Sequence, residues 1–448
     1  MKASEFMKKR VNRCCWWTFF TVAVMAQVGV LLAVETLEPR SCSDSAKPPA
    51  KCRYVLRWKS LGANRDRARK PPLPEPSLLQ LHGDGDPIDI DRVWSGHRVG
   101  FCLLTHAGMQ YVAYYNADRR MVVAVRELSE RRWKRQIMPS RLNHAPRTGQ
   151  NVSSTILGWD SHNYITMIAD AAGFIHLSGN MHVNALTYFR QTRLGDITSF
   201  EQLPMTGKLE TRCTYPKFML GPKQELIFHY RHGGSGRGDE IYNVYDLKSR
   251  SWSRLLERGL FSGGGKMNAY AMGPSIGPDG RFHMIWVWRD NPDCRSNHHI
   301  SYASSEDMKQ WQSTSGKTII LPITIDTPDV VIDPAPSGGG LLNASQVFGF
   351  DSEKCPVVSY HKYDKDGNSQ IYNARFEGGG WKIVPGTSWN YRWNFAGGGS
   401  IGKEIFFSCV HTGKPGVLTQ TFHHSKYGKG TISLNEQSLQ PISLVGGL

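Results

Sequence analysis

From about residue 93 onward, short apolar and aromatic runs alternate with clusters of glycine, aspartate, asparagine and proline. The runs have the length of strands and are rich in β-branched and aromatic residues, which favour β-strands ended by turns. Examples are VGFCLLTH (99–106), QYVAYYN (110–116), ELIFHYR (225–231), FHMIWVWR (282–289) and PVVSYHKY (356–363). No long amphipathic helical pattern interrupts them. The pattern predicts an all-β domain over residues 86–448.

A loose repeat underlies these runs. Each copy has a glycine-containing turn, an apolar strand, a polar turn, and a second strand that ends near a tryptophan or phenylalanine. Four copies begin at DAAGFIHLSG, GPKQELIFHYR, GPDGRFHMIWVWR and DSEKCPVVSYHKYD. Their spacing is roughly that of four-stranded propeller blades. The repeat predicts a β-propeller, with a generic β-sandwich as the alternative.

The N-terminus has a different pattern. Residues 14–34 carry no charge, and Lys8, Lys9 and Arg10 precede them. An uncharged stretch of this length behind a basic flank predicts a transmembrane or signal helix within residues 1–34. An uncleaved signal anchor is favoured, and a long signal peptide cut near Ala33 is the alternative. Either outcome exports the rest, so we expect an extracytoplasmic domain, membrane-anchored or secreted.

Residues 35–85 have the composition of a linker, with KPPAK, a basic run at 65–70 and PPLPEP. Cys42 and Cys52 within it would close a small loop in an oxidising compartment. The chain of 448 residues has a formal net charge of +16, which favours anionic partners. Nucleic acid is excluded as a partner because the domain is exported and matches no nucleic-acid module. Acidic polysaccharide and the membrane remain, and we expect a monomer.

Three segments concentrate histidine, tyrosine and arginine at predicted strand ends. They are WDSHN (159–163) with the following NMH (180–182), TYPKF (214–218), and FHYRHGGSGRGD (228–239). Together they resemble the BNR-repeat polysaccharide lyases that act on ulvan, polysaccharide lyase families 24 and 25. The resemblance covers roughly residues 90–440 and is strongest from Trp159 to Asp246.

The resemblance implies a seven-bladed propeller that cleaves a uronate-containing sulfated glycan by β-elimination. It implies that His162 and Tyr215 form the acid/base pair and that His182 and Arg231 face the uronate carboxylate. We expect Asn163 and Asn180, in the same motifs, to contact the substrate as well.

The residue types fit this chemistry without the resemblance. Arginine can bind both oxygens of a carboxylate and stabilise the charge that develops there. A neutral His162 can accept a proton near pH 7, whereas Tyr215 would need a neighbouring cation to act as a base. We favour His162 as base and Tyr215 as acid, with Tyr215 in both roles as an alternative. The structural alternatives are a turn-capping His162, a Tyr215 that packs an edge strand, and an Arg231 paired with Asp239.

Cysteine and imidazole side chains also suit a structural zinc site. The candidate ligands are His283, Cys294, His298 and His361, with His299 as the alternate for His298. A polar surface with unconnected histidines is the alternative, because the ligands are not closely spaced.

Two other functions compete with the lyase. A sialidase-like glycoside hydrolase would need paired carboxylates or a tyrosine nucleophile with arginines, and Asp170, Asp239 and Asp290 form no evident pair. A non-catalytic glycan-binding propeller would use the same basic charge and aromatic side chains. Of the aromatic residues, we assign Trp286 to the core and leave Trp389–Trp393 open between core and sugar stacking.

Overall fold

We describe the protein from a computed structural model, which covers residues 54–58, 88–146, 148–158, 160–399 and 401–446. Regular structure in these ranges is β-strand, apart from 3-10 turns at Ser161–Asn163, Ile197–Ser199 and Cys294–Ser296. The chain is therefore all-β, as the alternating pattern predicts. No helix in these ranges is long and apolar enough to cross a membrane. The predicted 14–34 span and the Cys42–Cys52 loop lie outside the ranges covered.

The first part of the described chain forms one four-stranded sheet and two antiparallel strand pairs. The short antiparallel pairs are β1 (Tyr54–Trp58) with β2 (Ile88–Val93), and β7 (Leu142–Ala145) with β8 (Gln150–Ser153). The sheet contains β3 (Cys102–His106), β4 (Met109–Tyr115), β5 (Met121–Glu127) and β6 (Lys134–Ile137) in that order. Strand β1 falls inside the 35–85 segment predicted as linker, and the wider domain division stays a prediction.

In the next two sheets, one strand from the connection within the first sheet pairs with the second. The first contains β9 (Ile165–Ala169), β10 (Ile175–Gly179), β12 (Tyr188–Gln191) and β13 (Phe200–Gln202). The second has the order β11 (His182–Asn184), β14 (Cys213–Leu220), β15 (Leu226–Gly234), β16 (Arg237–Asp246) and β17 (Ser251–Arg254). The connection between β10 and β12 thus leaves its own sheet and adds β11 to the next.

Three further sheets complete the described chain. One contains β18 (Asn268–Ile276), β19 (Phe282–Arg289), β20 (Asn297–Ser305) and β21 (Trp311–Gln312), with β22 (Val331–Asp333) also on β20. The next contains β23 (Val347–Phe350), β24 (Pro356–Tyr363), β25 (Ser369–Glu377) and β26 (Gly380–Pro385). The last contains β27 (Ile405–Phe407), β29 (Val417–His424), β30 (Gly428–Asn435) and β31 (Pro441–Gly446), with β28 (His411–Thr412) also on β29.

The paired strands in these sheets are antiparallel, and the strands of each sheet lie largely in sequence order. A succession of four- and five-stranded meanders is the arrangement typical of propeller blades. The count of seven blades stays a prediction of the family resemblance.

The central strands are apolar on both faces because neighbouring sheets cover them. All eight residues of β19 are buried, and it lies between β18 and β20. Phe261 packs on Trp286 with ring centroids 4.9 Å apart. This explains why FHMIWVWR is a continuous apolar run rather than an alternating one. Trp286 belongs to the core, as predicted, and Trp389 and Trp393 are buried as well.

Polar side chains in the core have partners of their own. His176 on β10 is fully buried, with Nδ1 2.8 Å from Tyr188 Oη and Nε2 3.2 Å from Asp170 Oδ2. Asp170 comes from the turn before β10, and Tyr188 from the adjacent β12. Because both ring nitrogens are satisfied, this imidazole has a structural role and no atom left for a ligand.

We expect Trp286→Ala to lower the free energy of unfolding by about 3–5 kcal/mol, because a fully buried indole leaves a cavity between two sheets. Urea unfolding followed by intrinsic fluorescence measures the change. The matched control is Ile320→Ala, since Ile320 is 89% exposed and its truncation should stay within about 0.5 kcal/mol of wild type. Equal losses for the two variants would contradict this placement of the core.

Candidate active site

The candidate site lies where β11 joins the neighbouring sheet. His182 on β11 is opposite Thr214 on β14, and Thr214 is opposite Arg231 on β15. The pairing is irregular after Thr214, and Tyr215 within this irregularity has a φ of +62°. A bulge of this kind re-aims the side chains it contains. The register therefore brings His182, Tyr215 and Arg231 to one place.

A single carboxylate joins the two imidazoles of the site. Asp160 caps the 3-10 turn Ser161–Asn163, and its Oδ1 accepts a hydrogen bond from the His162 backbone N–H at 2.8 Å. The same Oδ1 lies 2.9 Å from His162 Nδ1, and Oδ2 lies 2.7 Å from His182 Nδ1. The two rings stack with centroids 4.1 Å apart and an interplanar angle of 14°. Asp160 thus holds both rings in one fixed arrangement.

Tyr215 and Arg231 complete the cluster. The Tyr215 ring centroid is 5.4 Å from that of His162, and Arg231 Cζ is 4.8 Å from the Tyr215 ring centroid. The structure therefore gathers His162, His182, Tyr215 and Arg231, which come from the three sequence segments singled out above.

Arg231 carries a buried charge without a carboxylate partner among the residues that the structure describes. Its side chain is 1% exposed, Nη1 donates to Tyr270 Oη at 3.4 Å, and Nε has no hydrogen-bond partner. Glu240, opposite Arg231 on β16, contacts His229 instead. A buried cation is costly unless an opposite charge lies nearby. The site is therefore electrostatically suited to an anionic ligand.

The position of Arg231 also changes one expectation. We expected its guanidinium to bind both oxygens of a carboxylate directly, but at 1% exposure it lies beneath the Tyr215 ring. From this position its positive charge would act on a bound anion at short range through a low-dielectric surrounding. His162 and His182 are more accessible, with side chains 16% and 22% exposed.

The protonation states of the two acidic groups follow from this environment. Burial raises the pKa of Tyr215 to about 12, although the positive charge of Arg231 acts in the opposite direction. Burial alone would also raise the pKa of Asp160, but hydrogen bonds from His162 and His182 outweigh it and hold that pKa well below its usual value. At neutral pH, Tyr215 is therefore a proton donor and Asp160 an ionised acceptor.

Asn163 and Asn180 form hydrogen bonds with the backbone next to the site. Asn163 is 2% exposed and its Nδ2 donates to the Asp160 carbonyl at 3.0 Å. Asn180 Nδ2 donates to two carbonyls of the 154–158 segment at 2.8 and 3.1 Å, and its Oδ1 accepts an N–H from the same segment at 3.2 Å. Both side chains line a cavity of about 130 Å³ that also reaches His182. Their contact with substrate stays a prediction.

The backbone of the site is unusual at three positions. Asn180, Val183 and Tyr215 have φ values of +58°, +61° and +62°. Such values are uncommon outside glycine and costly for a β-branched residue, and they cluster at functional sites. The Val183 N–H is held by Thr214 Oγ1 at 2.9 Å. Pairing with β14 thus maintains the conformation that carries His182.

The structure does not gather the predicted zinc ligands His283, Cys294, His298 and His361. Within the ranges covered, one group of three or more His, Cys, Asp or Glu residues has ligand atoms within 4.8 Å of one another. Its members are Asp160, His162 and His182, none of which belongs to the predicted set. A structural zinc ion therefore stays a prediction without an assembled site.

The ring nitrogens of two predicted ligands already have partners. His283 repeats the arrangement of His176, with Nδ1 2.7 Å from Tyr302 Oη and Nε2 2.9 Å from Asp279 Oδ1. His298 Nε2 lies 2.9 Å from Asp290 Oδ1, and its Nδ1 lies 2.7 Å from Nδ1 of the alternate ligand, His299.

The other two predicted ligands are buried in apolar surroundings. His361 is 2% exposed among Trp393, Phe395 and Phe407, and burial lowers its pKa to about 3. Cys294 is a buried free thiol in the core cluster that includes Trp393.

Sequence reasoning missed two residues of the site. Asp160 stands two residues before His162, a spacing at which a side chain caps a turn, and this signal was available. Tyr270 lies 39 residues beyond Arg231 in the chain, and no local motif marks it. Its hydroxyl lies 2.8 Å from Ser235 Oγ, so it also holds the glycine-rich loop that follows Arg231.

Comparison with known families gives one match over more than half of the chain. Residues 109–389 match the model of a family described as BNR repeat-containing family member. The ulvan lyase (long isoform) of Alteromonas sp. strain LOR is 25% identical over 149 residues. These residues are 30% of this chain but 15% of the length of that relative.

Solved structures with a similar fold include two polysaccharide lyases. One is a PL25 ulvan lyase bound to -[GlcA(1-4)Rha3S]-, with 14% identity, a TM-score of 0.51, and coverage of 77% of this chain and 83% of that chain. The other is the polysaccharide lyase Uly1, with 15% identity, a TM-score of 0.52, and coverage of 82% and 94%. At these identities the likeness shows the fold.

We expect Asn180→Ala to destabilise the protein more than Asn180→Gly, by about 1 kcal/mol, because only alanine keeps a Cβ in the left-handed conformation. Both variants lose the hydrogen bonds to the 154–158 segment, and urea unfolding measures both. Gln224, exposed and with a φ of +62°, is the control position. The free energies of unfolding of Gln224→Ala and Gln224→Gly should differ by a similar amount. Neither variant should show the additional destabilisation that comes from losing the Asn180 hydrogen bonds. Equal stability of the two Asn180 variants would show that the backbone relaxes.

Proposed function

This chain belongs to the BNR repeat-containing family, and we propose that it is a polysaccharide lyase that cleaves an ulvan-like anionic polysaccharide by β-elimination. The observation that carries the proposal is the buried guanidinium of Arg231, unpaired among the described residues, beneath a group of two imidazoles and a protonated tyrosine. The names of the relatives support the substrate class, since those proteins are an ulvan lyase of Alteromonas and a PL25 ulvan lyase bound to a glucuronate-containing glycan.

β-Elimination requires a base, an acid and a group that stabilises negative charge. A base removes the proton from the carbon next to the uronate carboxylate, and the electron pair left behind forms a carbon–carbon double bond. The glycosidic oxygen on the adjacent carbon leaves with its bonding electrons, and an acid supplies its proton. Negative charge builds up on the carboxylate meanwhile and must be stabilised where it develops.

We assign His162, Tyr215 and Arg231 to these three tasks. His162, with its ring at the exposed side of the cluster, acts as the base. Tyr215 acts as the acid, because burial keeps its phenol protonated at neutral pH. The charge of Arg231 stabilises the negative charge that develops on the carboxylate, and His182 lies beside His162 as a substrate-binding group.

We also propose that the sheets are the blades of a propeller and that the domain acts outside the cytoplasm. The sequence-ordered meanders support the first statement. The uncharged stretch 14–34 behind a basic flank supports the second and favours a membrane tether. A monomer remains our expectation.

The direct test is incubation of purified protein with ulvan and a panel of other uronate polysaccharides. We expect an unsaturated uronate product that absorbs in the ultraviolet. His162→Ala and Tyr215→Phe should each reduce turnover by at least about 100-fold, since each removes a proton-transfer group. Circular dichroism checks that both variants are folded.

The control variant is Tyr302→Phe, which removes a hydroxyl from His283 in the core and should leave turnover close to wild type. Cleavage without a double bond in the product would favour a glycoside hydrolase. Binding that persists in all variants without any turnover would favour a glycan-binding protein. Either result would overturn the lyase proposal.

The pH dependence of turnover distinguishes the two roles open to Tyr215. With a pKa raised to about 12, the fraction of phenolate rises about tenfold per pH unit below that value. If Tyr215 is the acid, kcat shows no such rise between about pH 7 and about pH 10, because the phenol stays protonated throughout. A steady tenfold rise per unit would instead make Tyr215 the base. The measurement is initial rate at saturating substrate.

A further inference from the structure

We propose that Asp160 is a positioning residue that fixes the tautomer of both site imidazoles, so that His162 and His182 each present an unprotonated Nε2 to the substrate. The inference rests on the proposed function for its role in turnover, but the tautomer itself is a property of the free protein.

The contacts of the carboxylate carry the argument. An ionised aspartate only accepts hydrogen bonds, and both imidazoles approach it with Nδ1, at 2.9 and 2.7 Å. Each neutral ring must therefore carry its proton on Nδ1, which leaves the Nε2 lone pair available. Among the described residues, neither Nε2 has a hydrogen-bond partner in the protein, and both rings are partly exposed. These two nitrogens are the atoms open to a ligand.

Asp160 is itself held in place on both sides. Its Oδ1 also accepts the His162 backbone N–H, and its carbonyl accepts from the buried Asn163 Nδ2. The stacking of His162 on His182 restricts rotation of either ring. The carboxylate is therefore a fixed reference for both imidazoles, comparable to carboxylates that orient a catalytic histidine or a metal-bound one.

The core histidines provide the contrast. In His176 and His283 the carboxylate contacts Nε2, and a tyrosine hydroxyl occupies Nδ1. No nitrogen is left over there. At the site the Asp160 carboxylate contacts Nδ1 of two rings at once. The Nε2 lone pairs of His162 and His182 are therefore left open to a ligand.

The test is Asp160→Asn. Asparagine has the same shape, but one oxygen becomes an NH₂ donor, so one imidazole must accept on Nδ1 and move its proton to Nε2. We expect kcat to fall about 10- to 100-fold, the range typical for loss of such a partner. In ¹⁵N-histidine NMR, wild type should show both rings protonated at Nδ1, and the variant should show one ring switched. Spectra of His162→Ala and His182→Ala assign the signals.

The matched control is Asp279→Asn. Asp279 contacts His283 at 2.9 Å and its side chain is 29% exposed, against 27% for Asp160. We expect this variant to lose stability with turnover kept within about twofold of wild type, because His283 has no role in the proposed chemistry.

Three results would overturn the inference. The first is an Nε2-protonated His162 or His182 in wild type, a result that can be measured without any lyase activity. The second is a folded Asp160→Asn protein with unchanged kcat. The third is activity lost to a chelator and restored by zinc alone, since the same three side chains could hold a metal ion. If wild type has no lyase activity, the proposed function fails, and the tautomer measurement still decides the inference.

Discussion

The pairing of β11 with β14 is the constraint on which the site depends. The connection between β10 and β12 carries residues 180–187 away from its own sheet and adds a strand to the next one. Without this pairing His182 would lie on an ordinary hairpin loop, separated from Tyr215 and Arg231. The left-handed conformations of Asn180 and Val183 allow the excursion, and hydrogen bonds from Asn180 and Thr214 maintain it. The candidate site thus lies where β11 connects one sheet to the next.

Electrostatics then determines what such a site accepts. Arg231 is buried with its positive charge facing polar neutral groups, while the nearby Glu240 contacts His229. The same burial keeps Tyr215 protonated, even though the guanidinium beneath its ring acts against this. A protonated acid above an uncompensated cation suits a substrate that arrives with a carboxylate and needs a proton on its leaving group.

The protein uses one type of contact, carboxylate to imidazole, for two purposes. In the core, His176 has both ring nitrogens satisfied and the contact contributes to packing between strands. At the site, Asp160 satisfies one nitrogen on each of two rings and leaves the other open. Sequence spacing does not separate these cases, because Asp160 stands two residues before His162 and Asp170 six residues before His176. His283, predicted as a zinc ligand from its residue type alone, belongs to the core cases, because Tyr302 and Asp279 contact its two ring nitrogens.

The amino-acid sequence was enough to predict the all-β class and the strands at the quoted apolar runs, and its motifs, through the family resemblance, named the four side chains that meet at the site. Strand pattern and turn chemistry are local properties of the sequence, so the buried strand FHMIWVWR can be predicted without a structure. The folded arrangement was needed to show that Asp160 bridges two imidazoles, that Arg231 lies beneath Tyr215, and that the proposed zinc ligands lie apart. These facts depend on the register between strands distant in the chain and on which ring nitrogen faces which neighbour. Both are set by packing between sheets, which no single stretch of sequence contains.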